Sequence, residues 1–343
     1  MELPHALGPG GVRVTTAFLE MLIEARSELE GPTPEAWFDR LEREEDKLDA
    51  ALKEACQHDP AVGLRAAPLL QRFWFARGRL GRGRQWVEQL LSAAGEGRTV
   101  DRARGLSAAA ALAFRQGDTE ATKTYASEAL ELSRQLGARD VQVDAALTLA
   151  RVGLREGNVE AVRRFAQGAR NLGLEMGDEA RELSAIHCLA EGARIGGDYQ
   201  LARSLYAESL ARNRLRGNRL LVSVELTNLA AVEKREGNLA QAEANLREAM
   251  TISREINNSY ILAANLITLA AVKMAAGQAR QAARLLGHAD AIYLATGLVV
   301  DPADKADYDQ TLTNARSELG EAAFAAAHAD GVASSIERLI ATL

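Results

Sequence analysis

Glycine returns at Gly117, Gly157, Gly197, Gly237 and Gly277, at a constant interval of 40 residues, with Gly78 one residue out of phase before them. The residue after each is Asp118, Asn158, Asp198, Asn238 or Gln278. Four of these five are strong helix N-caps, and each follows a residue that tolerates the left-handed conformation in which helices stop. A second column lies halfway between: Gly137, Gly177, Gly217, Asn257 and Gly297. Asn is the usual substitute for Gly at a position just past a helix C-terminus. One helix therefore stops and another starts every 20 residues. A chain so punctuated has little choice but to become a repeat array of helices.

Small residues show where those helices meet. Ala110, Ala150, Ala190, Ala230 and Ala270 form an unbroken column. Twelve residues on stand Thr122, Val162, Ala202, Ala242 and Ala282, and seven further on Ala129, Ala169, Ser209, Ala249 and Ala289. The spacing resembles the tetratricopeptide signature, in which small residues let the two helices of a repeat approach closely. Leu106, Ala146, Ile186, Leu226 and Leu266, with Ala109, Leu149, Leu189, Leu229 and Leu269, complete an apolar stripe at helical spacing. Apolar residues are 47% of the chain and aromatics only 5%, so Ala, Leu and Val must build the interior. The expected fold is all-α, a tetratricopeptide-like α-solenoid forming a right-handed superhelix of antiparallel helix pairs.

Four segments are expected: a flexible stretch 1–13, a helical cap with a degenerate first repeat over 14–98, five repeats over 99–298, and a C-terminal helical cap over 299–343. Helices are expected at 14–29, 35–57, 60–77 and 81–94, the third opened by Asp59 as N-cap with Pro60 at its first position. After the array, Asp301-Pro302 opens a helix to Leu319, Gly320 ends it, and Gly331 separates two further short helices. Single repeats cannot bury their apolar stripe alone, so such caps are needed.

Charge excludes one class of function. Net charge is −6, whereas nucleic-acid binding calls for a basic face, so none is expected. The distribution is uneven: residues 1–60 carry 14 acids and 6 bases, while 61–300 carry 25 acids and 32 bases. Arg72, Arg77, Arg79, Arg82 and Arg84 concentrate that excess, and they read either as a solvated helix face or as a second, basic docking surface. Cys56 and Cys188 lack any metal-ligand or disulfide spacing. No His, Cys or carboxylate cluster suggests a metal, cofactor or active site, and Cys188 beside His187 reads as core packing because adjacent helical residues point about 100° apart. The N-terminus has no basic, apolar leader and no run is long enough to span a bilayer, so a soluble, cytoplasmic, non-enzymatic protein is expected.

A solenoid presents the first helix of each pair along a groove. Along the Ala column the inward positions are Arg104, Ser107, Ala111 and Phe114; Asp144, Leu147, Arg151 and Leu154; Ser184, His187, Glu191 and Arg194; Val224, Thr227, Ala231 and Lys234; Ala264, Ile267, Ala271 and Met274. Arg151, His187, Glu191, Arg194 and Lys234 are candidates to hold charged groups of a partner, and Ile267 and Met274 offer an apolar end.

The ends of the chain resemble a known family. Trp37-Phe38-Asp39-Arg40-Leu41-Glu42 with Leu48-Asp49-Ala50-Ala51-Leu52, then Arg72-Phe73-Trp74-Phe75-Ala76-Arg77-Gly78 with Gly83-Arg84-Gln85-Trp86, and finally Ala282-Ala283-Arg284-Leu285-Leu286-Gly287 with Gly320-Glu321-Ala322-Ala323-Phe324 carry the resemblance. They are similar to the C-terminal tetratricopeptide-repeat arm of bacterial LuxR-type and maltose-regulator-type signal-transduction (STAND) ATPase transcriptional regulators. Glu44-Glu45-Asp46-Lys47-Leu48 departs from the family's His-Asp-Asn-Leu, and no GxxxxGK[ST] phosphate loop or DNA-reading helix-turn-helix occurs. The resemblance implies a sensor or interaction arm. Two functions follow: a scaffold for a protein or peptide partner bearing acidic or carboxylate groups, or a small-molecule inducer sensor coupled to an ATPase module.

Overall fold

The computed structural model describes residues 12–29, 35–296, 300 and 302–341. Every regular element among them is helical. The chain forms two compact units, residues 1–192 and 193–343, so the division falls within the third repeat.

The N-terminal unit opens with α1 (Val12–Glu24), α2 (Arg26–Leu29), α3 (Glu35–Arg43), α4 (Glu45–His58), α5 (Pro60–Ala76) and α6 (Leu80–Ala94). The expected 35–57 helix is two segments. Backbone bonding runs on through the bend, Glu44 N–H to Arg40 C=O and Leu48 N–H to Glu44 C=O, and no Gly or Pro marks it. Asp59 precedes Pro60 as expected but makes no side-chain cap bond. The repeats follow as α7 (Val100–Arg115) with α8 (Thr119–Leu136), α9 (Arg139–Arg155) with α10 (Val159–Met176), and α11 (Glu179–Ile195), whose last turn from Ala193 belongs to the C-terminal unit. Residues 1–11 of the expected flexible stretch lie outside the described residues.

The C-terminal unit holds α12 (Tyr199–Leu215), α13 (Arg219–Arg235) with α14 (Leu239–Glu255), α15 (Ser259–Ala275) with α16 (Ala279–Thr296), and then α17 (Pro302–Leu319), α18 (Glu321–Ala333) and α19 (Ile336–Ala341). From Gly117 to Gly277 every expected break is a break between helices; Gly297 lies outside the described residues.

The turns explain why the period is so strict. Past each helix the N–H of the residue after the glycine closes back on the carbonyl five residues earlier, as in Asp118 to Ala113 (3.0 Å) and Asn158 to Gly153 (2.8 Å). That closure requires a positive φ, and Asn257 adopts one (51°) where glycine is missing. Asp118, Asn158 and Asp198 accept from the N–H three residues on, as expected. Asn238 makes no such bond, because its amide donates to Glu233 instead (2.7 Å). Asp178, Asn218 and Asn258 cap the other column, which the sequence reading had not assigned.

All three small-residue columns are buried. Every member of the 110, 122 and 129 columns is 0–1% exposed. Replacing one by a large side chain should overpack the contact by about 1–3 kcal/mol. Cys188 is buried in the core, as its packing reading required.

Gly331 corrects the C-terminal expectation. It does not break a helix but sits inside α18, where an added Cβ would overlap the backbone carbonyl of Arg284 on α16. Gly287 makes the reciprocal approach to the carbonyl of His328. Glycine is there to bring two backbones together. Tyr308 and His328 then clasp Asp290 between them, each at 2.8 Å. Among the described residues no helix is long and apolar enough to cross a membrane.

Candidate ligand-binding grooves

In the N-terminal unit the first helices α5, α7, α9 and α11 carry ionic side chains near their starts, offset by about one repeat. Arg65 lies 3.5 Å from Asp101; Arg104 lies 3.2 Å from Asp101 and 3.6 Å from Asp140. Arg181 grips both oxygens of Asp144 at 2.9 Å and reaches Asp178 at 2.6 Å. The bidentate bond to Asp144 holds the Arg181 proton more tightly than usual. Burial alone raises the Asp178 carboxyl, but hydrogen bonds from the Arg181 side chain and backbone outweigh it and leave the pKa lowered.

Beside this ladder lies a cavity of about 420 Å³, lined by Arg104, Ser107, Ala111, Asp144, Leu147, Arg151 and Ser184 from the expected inward positions. Arg72 lines it too and donates to the Leu29 carbonyl at 2.6 Å. Arg151 is different. It is exposed and has no hydrogen bond or ion pair to any described residue. Asp144, which lines the same cavity, is already held by Arg181. Phe114 does not line the cavity, because the Arg155 guanidinium stacks on its ring at 3.9 Å.

The C-terminal unit has a second cavity, about 160 Å³, between α13, α15 and α17. Arg194, Lys234 and Ile267 line it, together with Thr227, Asn228, Ala231, Ala264, Asn265, Ala271 and Asp307. Asn265, fully buried, accepts from Thr227 (2.7 Å) and donates to Ser253 (3.1 Å), so part of the wall is a neutral network. Lys234 lies 3.6 Å from Asp307. The seven expected groove residues thus divide: Arg151 in one unit, Arg194, Lys234 and Ile267 in the other. His187 and Glu191 line neither cavity, and Met274 packs against apolar core clusters instead.

The expected basic face meets the chain's own acids. Arg77 pairs with Asp39 and Glu42, Arg79 with Glu42 and Glu45, Arg82 with Glu45 and Asp49, and Arg84 with Glu88 and Asp118. For Arg77, Arg79 and Arg82 the acids come from the acid-rich first 60 residues, so the two segments are two sides of one ladder. It therefore offers an acidic partner little uncompensated charge. Arg181, Asn228 and Asp307 are groove residues that the sequence reading missed. Arg181 had a local signal in the Asp178-x-x-Arg181 spacing; Asp307 had none, since its helix lies 73 residues beyond Lys234.

Among the described residues no three His, Cys, Asp or Glu side chains converge as a metal site. No family model and no curated protein sequence matches the chain. Solved structures do. The chain is similar to a signal transduction ATPase with numerous domains (STAND) that has a tetratricopeptide repeat sensor, from Pyrococcus horikoshii, at 13% identity and a TM-score of 0.59 over 98% of this chain and 55% of that one. The chain thus spans little more than half of that ATPase. It is similar over nearly full length to a Rap protein complexed with competence and sporulation factor (14% identity, TM-score 0.57, 96% of each chain). It also resembles the Rap conjugation gene regulator of plasmid pLS20 in complex with the Phr* peptide (12%, TM-score 0.53, 77% of this chain and 75% of that one). At these identities what is shared is the fold, a tetratricopeptide-like stack of helix pairs.

Proposed function

We propose that the chain is a cytoplasmic, non-catalytic tetratricopeptide-type scaffold whose N-terminal unit binds an extended peptide or protein segment bearing a carboxylate. The observation that carries this is Arg151, a groove guanidinium with no partner among the described residues, beside a ladder in which Arg104 and Arg181 are each paired with carboxylates. A guanidinium forms paired, charge-assisted hydrogen bonds with a carboxylate. Ser107 and Ser184 supply hydroxyls for a peptide backbone, and Ala111 and Leu147 an apolar floor. The Rap regulator with its bound Phr* peptide supports the same use of such an array. The STAND similarity, together with the resemblance of the chain ends to LuxR-type and maltose-regulator-type arms, supports placing this scaffold as the sensor arm of a transcriptional regulator.

The test is a selection from a random peptide library on the full chain, repeated on Arg151→Ala, with affinities measured against salt. Selected peptides are expected to be rich in Asp, Glu or free C-termini, to lose at least tenfold in affinity on Arg151→Ala, about 1.4 kcal/mol, and to weaken as salt rises. Binding indifferent to both the substitution and salt would remove this groove as the site.

A further inference from the structure

The C-terminal unit contains one buried and one half-buried lysine, Lys273 and Lys234, and they are treated differently. Lys273, 3% exposed, places its ammonium 2.8 Å from Glu243, an ordinary satisfied ion pair. Lys234, 14% exposed, has only Asp307 at 3.6 Å, beyond hydrogen-bond length, and Asp307 is half exposed and equally distant from Arg235. No other described residue pairs with Lys234. An ammonium has three donors, and burying a charge without hydrogen bonds is costly. Burial accordingly lowers the Lys234 pKa, with Asp307 recovering only part of the loss.

The unfilled donors adjoin the cavity of about 160 Å³. Asn228 lines the same cavity, half-buried, and its carboxamide has no hydrogen-bond partner among the described residues. Opposite lie Ala264, Ile267 and Ala271. Thus α13 offers N–H donors and positive charge to the cavity, and α15 a short apolar stretch.

We propose that this cavity binds the carboxylate of a small organic acid with a short branched apolar body. The carboxylate accepts from the Lys234 ammonium and the Asn228 amide in place of Asp307, and the body lies on Ile267. The shared chemistry admits two sources, a free carboxylic acid or the C-terminal residue of a peptide. The site is independent of the Arg151 groove.

The test uses the full chain and calorimetric titration with 4-methylpentanoate, its amide, the peptide Ala-Ala-Ala-Ala-Leu, and that peptide amidated. At least one free acid should bind, with its amide at least tenfold weaker. Lys234→Met should cost the acid at least tenfold while leaving the melting temperature equal or higher, since a poorly paired, half-buried charge is removed. Asn228→Ala should weaken the acid, and Asp307→Asn should leave it as tight or tighter. Arg151→Ala should leave the Lys234-dependent binding, that of 4-methylpentanoate included, unchanged, which separates this site from the peptide groove. A preference for 4-methylpentanoate assigns a free acid and a preference for the peptide a chain terminus. The proposal is overturned if neither acid binds, if acid and amide bind alike, or if Lys234→Met binds as the wild type does. Should that variant not fold, an unchanged affinity in Asn228→Ala overturns it equally.

Discussion

The two units use one helical frame and line it with opposite chemistry. In the N-terminal unit the groove wall is a salt ladder, Arg65–Asp101–Arg104–Asp140 and Asp144–Arg181–Asp178. In the C-terminal unit a neutral network of Thr227, Asn265 and Ser253 shares the wall with Arg194, Lys234 and Asp307. Their terminal layers repeat the contrast. Arginines of the α5–α6 region grip the carboxylates of α3 and α4, whereas α18 is seated on α16 by backbone contact at Gly287 and Gly331 as well as by the Arg284–Asp330 ion pair. The repeat frame thus sets where side chains stand and leaves their chemistry open. Each cavity holds a cationic group that its surroundings fail to match, Arg151 in one and Lys234 in the other.

The largest effect should come from the close contact. Gly331→Ala forces a methyl against the Arg284 carbonyl, and the helices must part, at a cost of about 3 kcal/mol. Gly168→Ala on α10, where nothing lies within 4 Å of an added Cβ, should instead stabilise by about 0.5–1 kcal/mol. Thermal and urea unfolding check both. Equal melting temperatures would mean that backbone contact does not hold the C-terminal layer.

A smaller effect separates the charged wall from the neutral one. Asp178 has its folded pKa below the unfolded value, so the stability it contributes is complete above the ordinary carboxylate range, about 4, and is lost as pH falls below it. Asp178→Asn keeps the capping oxygen and removes the charge. The variant should be about 1–2 kcal/mol less stable at pH 7, with the gap closing between about pH 4 and pH 2. A gap unchanged by acid would show the cap, not the ion pair, to be what matters. Asn265→Ala, on the neutral wall, should give a deficit that does not vary over the same pH range.

The smallest effect belongs to the N-terminal ladder. Arg79 is partly exposed, and such pairs are screened, so Arg79→Ala should cost under about 1 kcal/mol, less at high salt. A loss several times larger, or one indifferent to salt, would make this ladder the anchor of α3 and α4 and bring the two ends of the chain closer in kind.

Most of the fold was legible because helix stops and starts are local. A glycine or Asn257 at positive φ, a cap accepting three residues on, and a small residue in every layer all lie within a turn or recur at the period. The bend at Glu44 was not legible, because no residue there alters the local preference. Gly331 was misread for the opposite reason: glycine is both a helix stop and a contact residue, and its sequence context does not tell the two apart.

The candidate sites were only half legible. By itself the sequence determined a helical array with a 40-residue period and named positions along each first helix, since both follow from bonding over a few residues. It could not say that Arg77, Arg79, Arg82 and Arg84 would meet acids more than 30 residues away while Arg151 met none, or that Lys273 would find Glu243 while Lys234 was left 3.6 Å from Asp307. Whether a charge is satisfied depends on which distant helices come together. Coulombic and hydrogen-bonding energies are set by distances in space rather than along the chain, so only the tertiary structure decided them.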